Sequence, residues 1–199
     1  MRIISAHYAW NGFDGFVKNP QLYLDDDHRV VQLLSLGDKY IEEAHTEFFG
    51  GLLIPGFLSG VSTRHENHDD MVRLLNQAYI NGSLYVVTNE YNYQEFELNK
   101  LVKPKVLVFE DDSLNKDQLR LSSDPFQNIK YNIESLSQNN IIFLLKEYLA
   151  DPWRNSKFND IGGSFDIGKR PGVLLLTGMN WDSLTFTNDI KLRIIDCPY

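Results

Sequence analysis

Strand-like runs crowd both ends of this chain and the clearest helical period lies between them, which constrains the fold more than any single motif. Over residues 1–54 short extended runs alternate with turns. Residues 2–8 precede a break at Asn11-Gly12-Phe13-Asp14-Gly15, residues 21–24 lead into the acidic turn Asp25-Asp26-Asp27, and residues 29–34, 46–49 and 52–54 follow. This pattern predicts antiparallel β structure with hairpins. From Gly162 the chain turns extended again over residues 172–177, 184–186 and 192–196.

After Pro55-Gly56 the texture changes. Met71, Leu74, Leu75, Ala78 and Tyr79 stand three and four apart, which predicts an amphipathic helix over 69–79, stopped by Asn81-Gly82. Residues 83–88 and 105–109 read as buried strands, 120–123 as a candidate third, and 133–149 as helical with a break near Gln138-Asn139-Asn140. Strands separated by helices predict parallel βα units.

A hydrophobic share of 43% over 199 residues suffices for one large domain or two small ones. The net charge of −8 argues against a protein that grips nucleic-acid phosphates, which takes clustered Lys and Arg. Cys197, the only cysteine, cannot form an internal disulfide, so the default compartment is the cytoplasm. No signal peptide opens the sequence and no window approaches the ~18 apolar residues of a membrane span, so no membrane partner is expected.

Two motifs carry a family resemblance. Gly50-Gly51-Leu52-Leu53-Ile54-Pro55-Gly56-Phe57 resembles the entry to the first barrel strand in the amidohydrolase superfamily of metal-dependent hydrolases. The segment from Gly163-Ser164-Phe165-Asp166-Ile167-Gly168-Lys169-Arg170-Pro171-Gly172 to Val173-Leu174-Leu175-Leu176 resembles the stretch where that family's chain leaves the barrel and re-enters its terminal β-domain. Its Gly and Pro residues would serve turns between strands, Gly supplying positive φ. The resemblance implies a composite β-sandwich built by both termini, residues 1–56 with 162–199, beside a reduced α/β domain over 57–161. Phe57 and Gly163 are 106 positions apart, whereas a closed (β/α)8 barrel takes roughly 250 residues. The expected fold is therefore α/β with a β-sandwich, its middle an open layer left from a truncated TIM barrel.

In that family a His-x-His pair after the Pro-Gly-Phe turn binds the catalytic metal. Those places fall here on Val61 and Thr63. Valine has no donor atom, and a threonine hydroxyl is a poor partner for zinc. No histidine follows His68 to supply the family's later ligands. Leu121-Ser122-Ser123-Asp124-Pro125 resembles the last-strand region whose aspartate binds metal and acts as general base, which would make Asp124 a catalytic remnant; the competing reading is that Asp124 caps a following helix.

The densest ligand cluster is His65-Glu66-Asn67-His68-Asp69-Asp70. His65 and His68 share a helix face at a spacing of three, and Asp69 or Asp70 could complete a metal site; an exposed, acidic helix start fits the same residues. His7, His28 and His45 are scattered and read as surface or structural. Gly50-Gly51 and Gly162-Gly163 lack P-loop spacing, and Cys197 has no sign of activation. The aromatic stretch Glu90-Tyr91-Asn92-Tyr93-Gln94-Glu95-Phe96 is acidic, which suits a protein contact or a lid better than nucleic acid.

The leading expectation is thus a pseudoenzyme of the amidohydrolase family that holds no cofactor and acts by binding a small ligand, a related subunit or itself. The alternative is an active hydrolase using zinc or another divalent metal at a relocated site of His65, His68, Asp70 and Asp124. A third reading, an unrelated α/β domain, requires that the two chain ends not share a sheet.

Overall fold

A computed structural model describes residues 1–12, 15–37, 43–60, 68–88, 103–108, 121–137 and 139–198. Ten strands and a set of helices follow in chain order: β1 Arg2–Trp10, β2 Phe16–Lys18, β3 Pro20–Leu24, β4 Val30–Ser35, β5 Thr46–Pro55, β6 Phe57–Gly60, α1 His68–Ile80, β7 Ser83–Thr88, β8 Lys105–Val108, α2 Pro125–Leu136, α3 Ile141–Leu145, a π-helical turn over Lys146–Ala150, α4 Asp151–Arg154, β9 Val173–Asn180 and β10 Thr185–Asp196.

The two ends of the chain share a sheet. Seven strands pair in the order β10-β9-β5-β1-β3-β4, with β2 on the end of β1. The join is antiparallel pairing of β5 with β9, which sets Leu52 opposite Leu176 and Ile54 opposite Leu174. The third reading above is therefore not met. The sheet is mixed rather than purely antiparallel, because β1 and β5 run parallel. Gly50-Gly51 does not end a strand: Ala6 to Tyr8 of β1 faces Phe49 to Leu52 of β5, one residue more, so the glycines form a bulge inside one long β5. Among the described residues the terminal strands form one hydrogen-bonded sheet. Its faces carry different clusters, one with Ile4, Leu22, Leu24, Leu53 and Leu175 and the other with Trp10, Leu52, Ile54, Leu174 and Leu176.

The middle forms a second, parallel sheet, β6-β7-β8. Alternation splits its faces. Val86 and Val106 meet Met71, Leu75 and Ala78 of α1 on one side, while Tyr85, Val87 and Leu107 turn to the other. Of the candidate strand at 120–123, Arg120 lies outside the described residues and 121–123 form no strand; Ser122 O accepts one bond from Gly60 N at the edge of β6. Helix α2 begins earlier than the period suggested, at Pro125, with Pro pre-set for the first helical position.

Candidate functional site

Helix α1 covers one face of β6-β7-β8, and the opposite face joins the large apolar cluster. Leu58, Tyr85, Val87 and Leu107 share one cluster with Leu144, Leu145, Leu149 and Trp153, all from the α3–α4 segment. The Tyr85 and Trp153 rings meet edge-to-face, centroids 5.1 Å apart. Trp153 is fully buried and its indole Nε1 donates to Gly56 O at 3.0 Å. Tyr85 donates its hydroxyl to Arg170 O, and burial pushes its ionisation well above the ordinary tyrosine range. The α3–α4 segment, a plug against this face, is thus tied by Trp153 to the β5–β6 junction, while Tyr85 of β7 is tied to Arg170 ahead of β9.

Ligands of open parallel sheets bind outside the carboxyl ends of the strands. The segments that leave those ends, 61–67, 89–102 and 109–120, lie outside the described residues. Val61, Thr63, His65 and the aromatic stretch 90–96 all fall there. His68 opens α1, and Asp70 is exposed in its first turn.

Asp124 stands elsewhere. It caps α2, its Oδ1 accepting from Gln127 N at 3.0 Å while its Oδ2 accepts from Asn81 Nδ2. Asn81 lies in the turn just before β7, so the carboxylate sits beside the far end of α1 from Asp70. At 1.5 Å per residue the eleven positions from Asp70 to Asn81 span about 16 Å, and the structure does not bring Asp70 and Asp124 together. Burial raises the Asp124 pKa, opposed by the bonds from Gln127 and Asn81. Nearby, Ser122 Oγ accepts from Asp124 N and Asn128 Nδ2, and Asn132 Nδ2 reaches Tyr148, so these polar groups satisfy one another. Both oxygens of Asp124 serve the fold. Among the described residues no three His, Cys, Asp or Glu side chains converge to hold one.

Two features escaped sequence reasoning. Arg2 makes a two-pronged bond to Glu47 at 2.7 and 2.9 Å and donates Nη1 to Asp196 Oδ1 at 2.8 Å and to Ile195 O at 3.0 Å. Asp196 is buried and also meets His28 Nδ1 at 3.0 Å, so β1, the β3–β4 turn and β10 are clamped at one point. The Arg2 guanidinium holds the Glu47 carboxyl below its usual range. In the second, Lys169 Nζ bonds Ser164 Oγ at 2.8 Å and Asp166 at 3.0 Å, with Ser164 buried, which locks the turn of the Gly163–Gly172 motif. Gly163, Gly168 and Gly172 all adopt positive φ, as that motif requires.

No protein-family model matches the chain, and no curated protein does. Solved structures give partial likenesses. Ochratoxinase from A. niger is 15% identical at a TM-score of 0.40, over 54% of this chain and 30% of its own. An amidohydrolase is 11% identical at 0.38, over 53% and 31%. D-hydantoinase (dihydropyrimidinase) from Thermus sp. is 9% identical at 0.35, over 78% and 49%. The chain thus spans between 30% and 49% of those chains. No described helix is long and apolar enough to cross a membrane.

Proposed function

We propose that this chain is a shortened relative of the metal-dependent amidohydrolases that no longer hydrolyses anything and works by binding. In this reading the seven-stranded sheet is the family's terminal β-domain, residues 1–56 with 162–199, and β6-β7-β8 are the opening strands of a barrel reduced to residues 57–161. The observation that carries it is the plug. A catalytic barrel needs its strand ends to surround a reachable cavity, whereas here Trp153 packs on Tyr85 on the face opposite α1, in one apolar cluster with Leu144, Leu145 and Leu149. Val61 and Thr63, where two imidazoles would be needed, support the same conclusion from the sequence. Its working partner is then a small ligand, a related subunit or a second copy.

Metal analysis and hydrolysis assays on protein purified without a histidine tag test this. Neither stoichiometric metal nor turnover of amides and esters is expected, with or without added zinc. A chelator-removable metal supporting turnover that is lost in a His65→Ala/His68→Ala variant would overturn the proposal.

A further inference from the structure

Trp10, at the end of β1, is buried with its donor unused. It is 1% exposed, and its Nε1 has no hydrogen-bond partner, whereas the equally buried Trp153 donates to Gly56 O. A buried indole N–H ordinarily finds an acceptor. The surroundings of Trp10 are aromatic. Phe16, opposite it on β2, meets it edge-to-face at 5.4 Å, and Phe16 in turn meets Tyr8 at 6.3 Å and Trp181 at 5.9 Å. Tyr8 lies two residues before Trp10 and so shares its face of the sheet; its ring stacks on Trp181 with centroids 4.0 Å apart. Trp10 is enclosed while the other three are half-buried, so the set runs from an orphaned donor to the surface.

The β9–β10 hairpin brings Trp181 there as a strap. Leu52 of β5 lies between Tyr8 of β1 and Leu176 of β9, so a straight β9 would carry residue 181 ~10 Å to the side of Tyr8 and ~17 Å further along. The hairpin bends instead: Gly178 takes a φ of +81°, and the register with β9 breaks between Phe186 and Lys191. Asn180 Oδ1 ties the tip, accepting from Asp182 N at 3.0 Å and Ser183 N at 3.2 Å.

We infer that Tyr8, Trp10, Phe16 and Trp181 form a binding site for an uncharged planar ring that carries an oxygen acceptor. The ring enters between Tyr8 and Trp181 as the strap lifts, and its oxygen takes the N–H of Trp10. The inference rests on the binding role proposed above and gives its ligand class. Chemistry selects that class. A water needs two to four polar partners to be held, and the ring faces here add none to the one N–H. A donor repels a cation, and a net charge of −8 disfavours an anion, which leaves a neutral acceptor. Separating Tyr8 from Trp181 exchanges one stacked pair for two made with the ligand, so the opening costs little.

Magnetic resonance of isotope-labelled indole nitrogens reads this out on the full chain, which has three tryptophans, their signals assigned by replacing each in turn with phenylalanine. The probe is acetophenone, a ring whose one polar atom is a carbonyl oxygen, and ethylbenzene is its counterpart without oxygen. Acetophenone should shift the Trp10 and Trp181 signals saturably, at a Kd of ~1 mM for so small a ligand, and leave the bonded Trp153 in place. Ethylbenzene at equal concentration should move Trp181 but bring no downfield hydrogen-bond shift at Trp10. Trp10→Phe, followed through Trp181, should weaken acetophenone ~tenfold and leave ethylbenzene unchanged. Should that variant not fold by circular dichroism, Trp181→Ala, at a half-buried position, should weaken acetophenone ~tenfold through the lost stack. A Trp10 signal that acetophenone does not move overturns the inference, and is the result if a water alone meets the N–H. The same downfield shift with ethylbenzene overturns the role of the acceptor. Neither outcome touches metal content or hydrolysis, on which the proposed function stands.

Discussion

Asp124 uses both carboxylate oxygens inside the protein, and that fixes what its replacement should do. Asp124→Ala removes a helix cap and strands the Asn81 amide, so unfolding stability should fall by about 1–2 kcal/mol in urea titrations. Asp124→Asn keeps a cap acceptor and sheds the charge. Because burial raises the folded pKa, the folded wild type takes up its proton more readily than the unfolded chain. Wild type should therefore gain stability relative to Asp124→Asn as pH falls through the range just above the ordinary carboxylate pKa. A difference that is flat with pH would contradict the burial of this group. Gly163 and Gly168 give a matched pair: both have positive φ, but a Cβ at Gly163 would stand 2.5 Å from Trp153 Cβ, whereas none lies within 4 Å at Gly168. Alanine should cost about 1 kcal/mol at 168 and about 3 kcal/mol or more at 163, read from melting curves. The cap was legible from Asp-Pro. Its bond to Asn81 was not, because the two are 43 positions apart and each looked complete as local punctuation.

Among the elements, α1 and β7 were legible because their apolar spacing is unbroken. Two strands were read as pairs of shorter ones, since Gly50-Gly51 looks like a turn and Asn188-Asp189 interrupts β10; both interruptions are absorbed as register shifts when neighbouring strands supply the bonds. The first turns of α2 were missed because Gln127, Asn128 and Lys130 dilute the period set by Phe126, Ile129 and Ile133. The role of the α3–α4 segment was not legible at all. Its apolar face was plain, but nothing local says that Trp153 meets Tyr85 of the middle sheet. Trp153 is the element's anchor, with ring contacts to Tyr85 and a bond to Gly56 O. Trp153→Ala should lower stability by about 3–5 kcal/mol in chemical denaturation. A loss below about 1 kcal/mol would mean that the plug does not hold the middle sheet.

For the molecule as a whole, the joining of both ends in one sheet followed from the two motifs, whereas the mixed order that threads β5 between β1 and β9 did not, since pairing partners so far apart leave no local trace. The Arg2–Asp196–His28 clamp rests on the same long-range closure. Asp196→Ala should lower stability by about 2 kcal/mol while leaving a single cooperative transition, because Arg2 keeps Glu47 as a partner. The place of β9 also sets an order of events during synthesis. One long border of β5 is matched by residues 173–176, more than a hundred positions downstream. A growing polypeptide must keep that border unsatisfied until the stretch beyond residue 172 clears the ribosome, and its exposure to chaperones or to stray association is greatest in that interval.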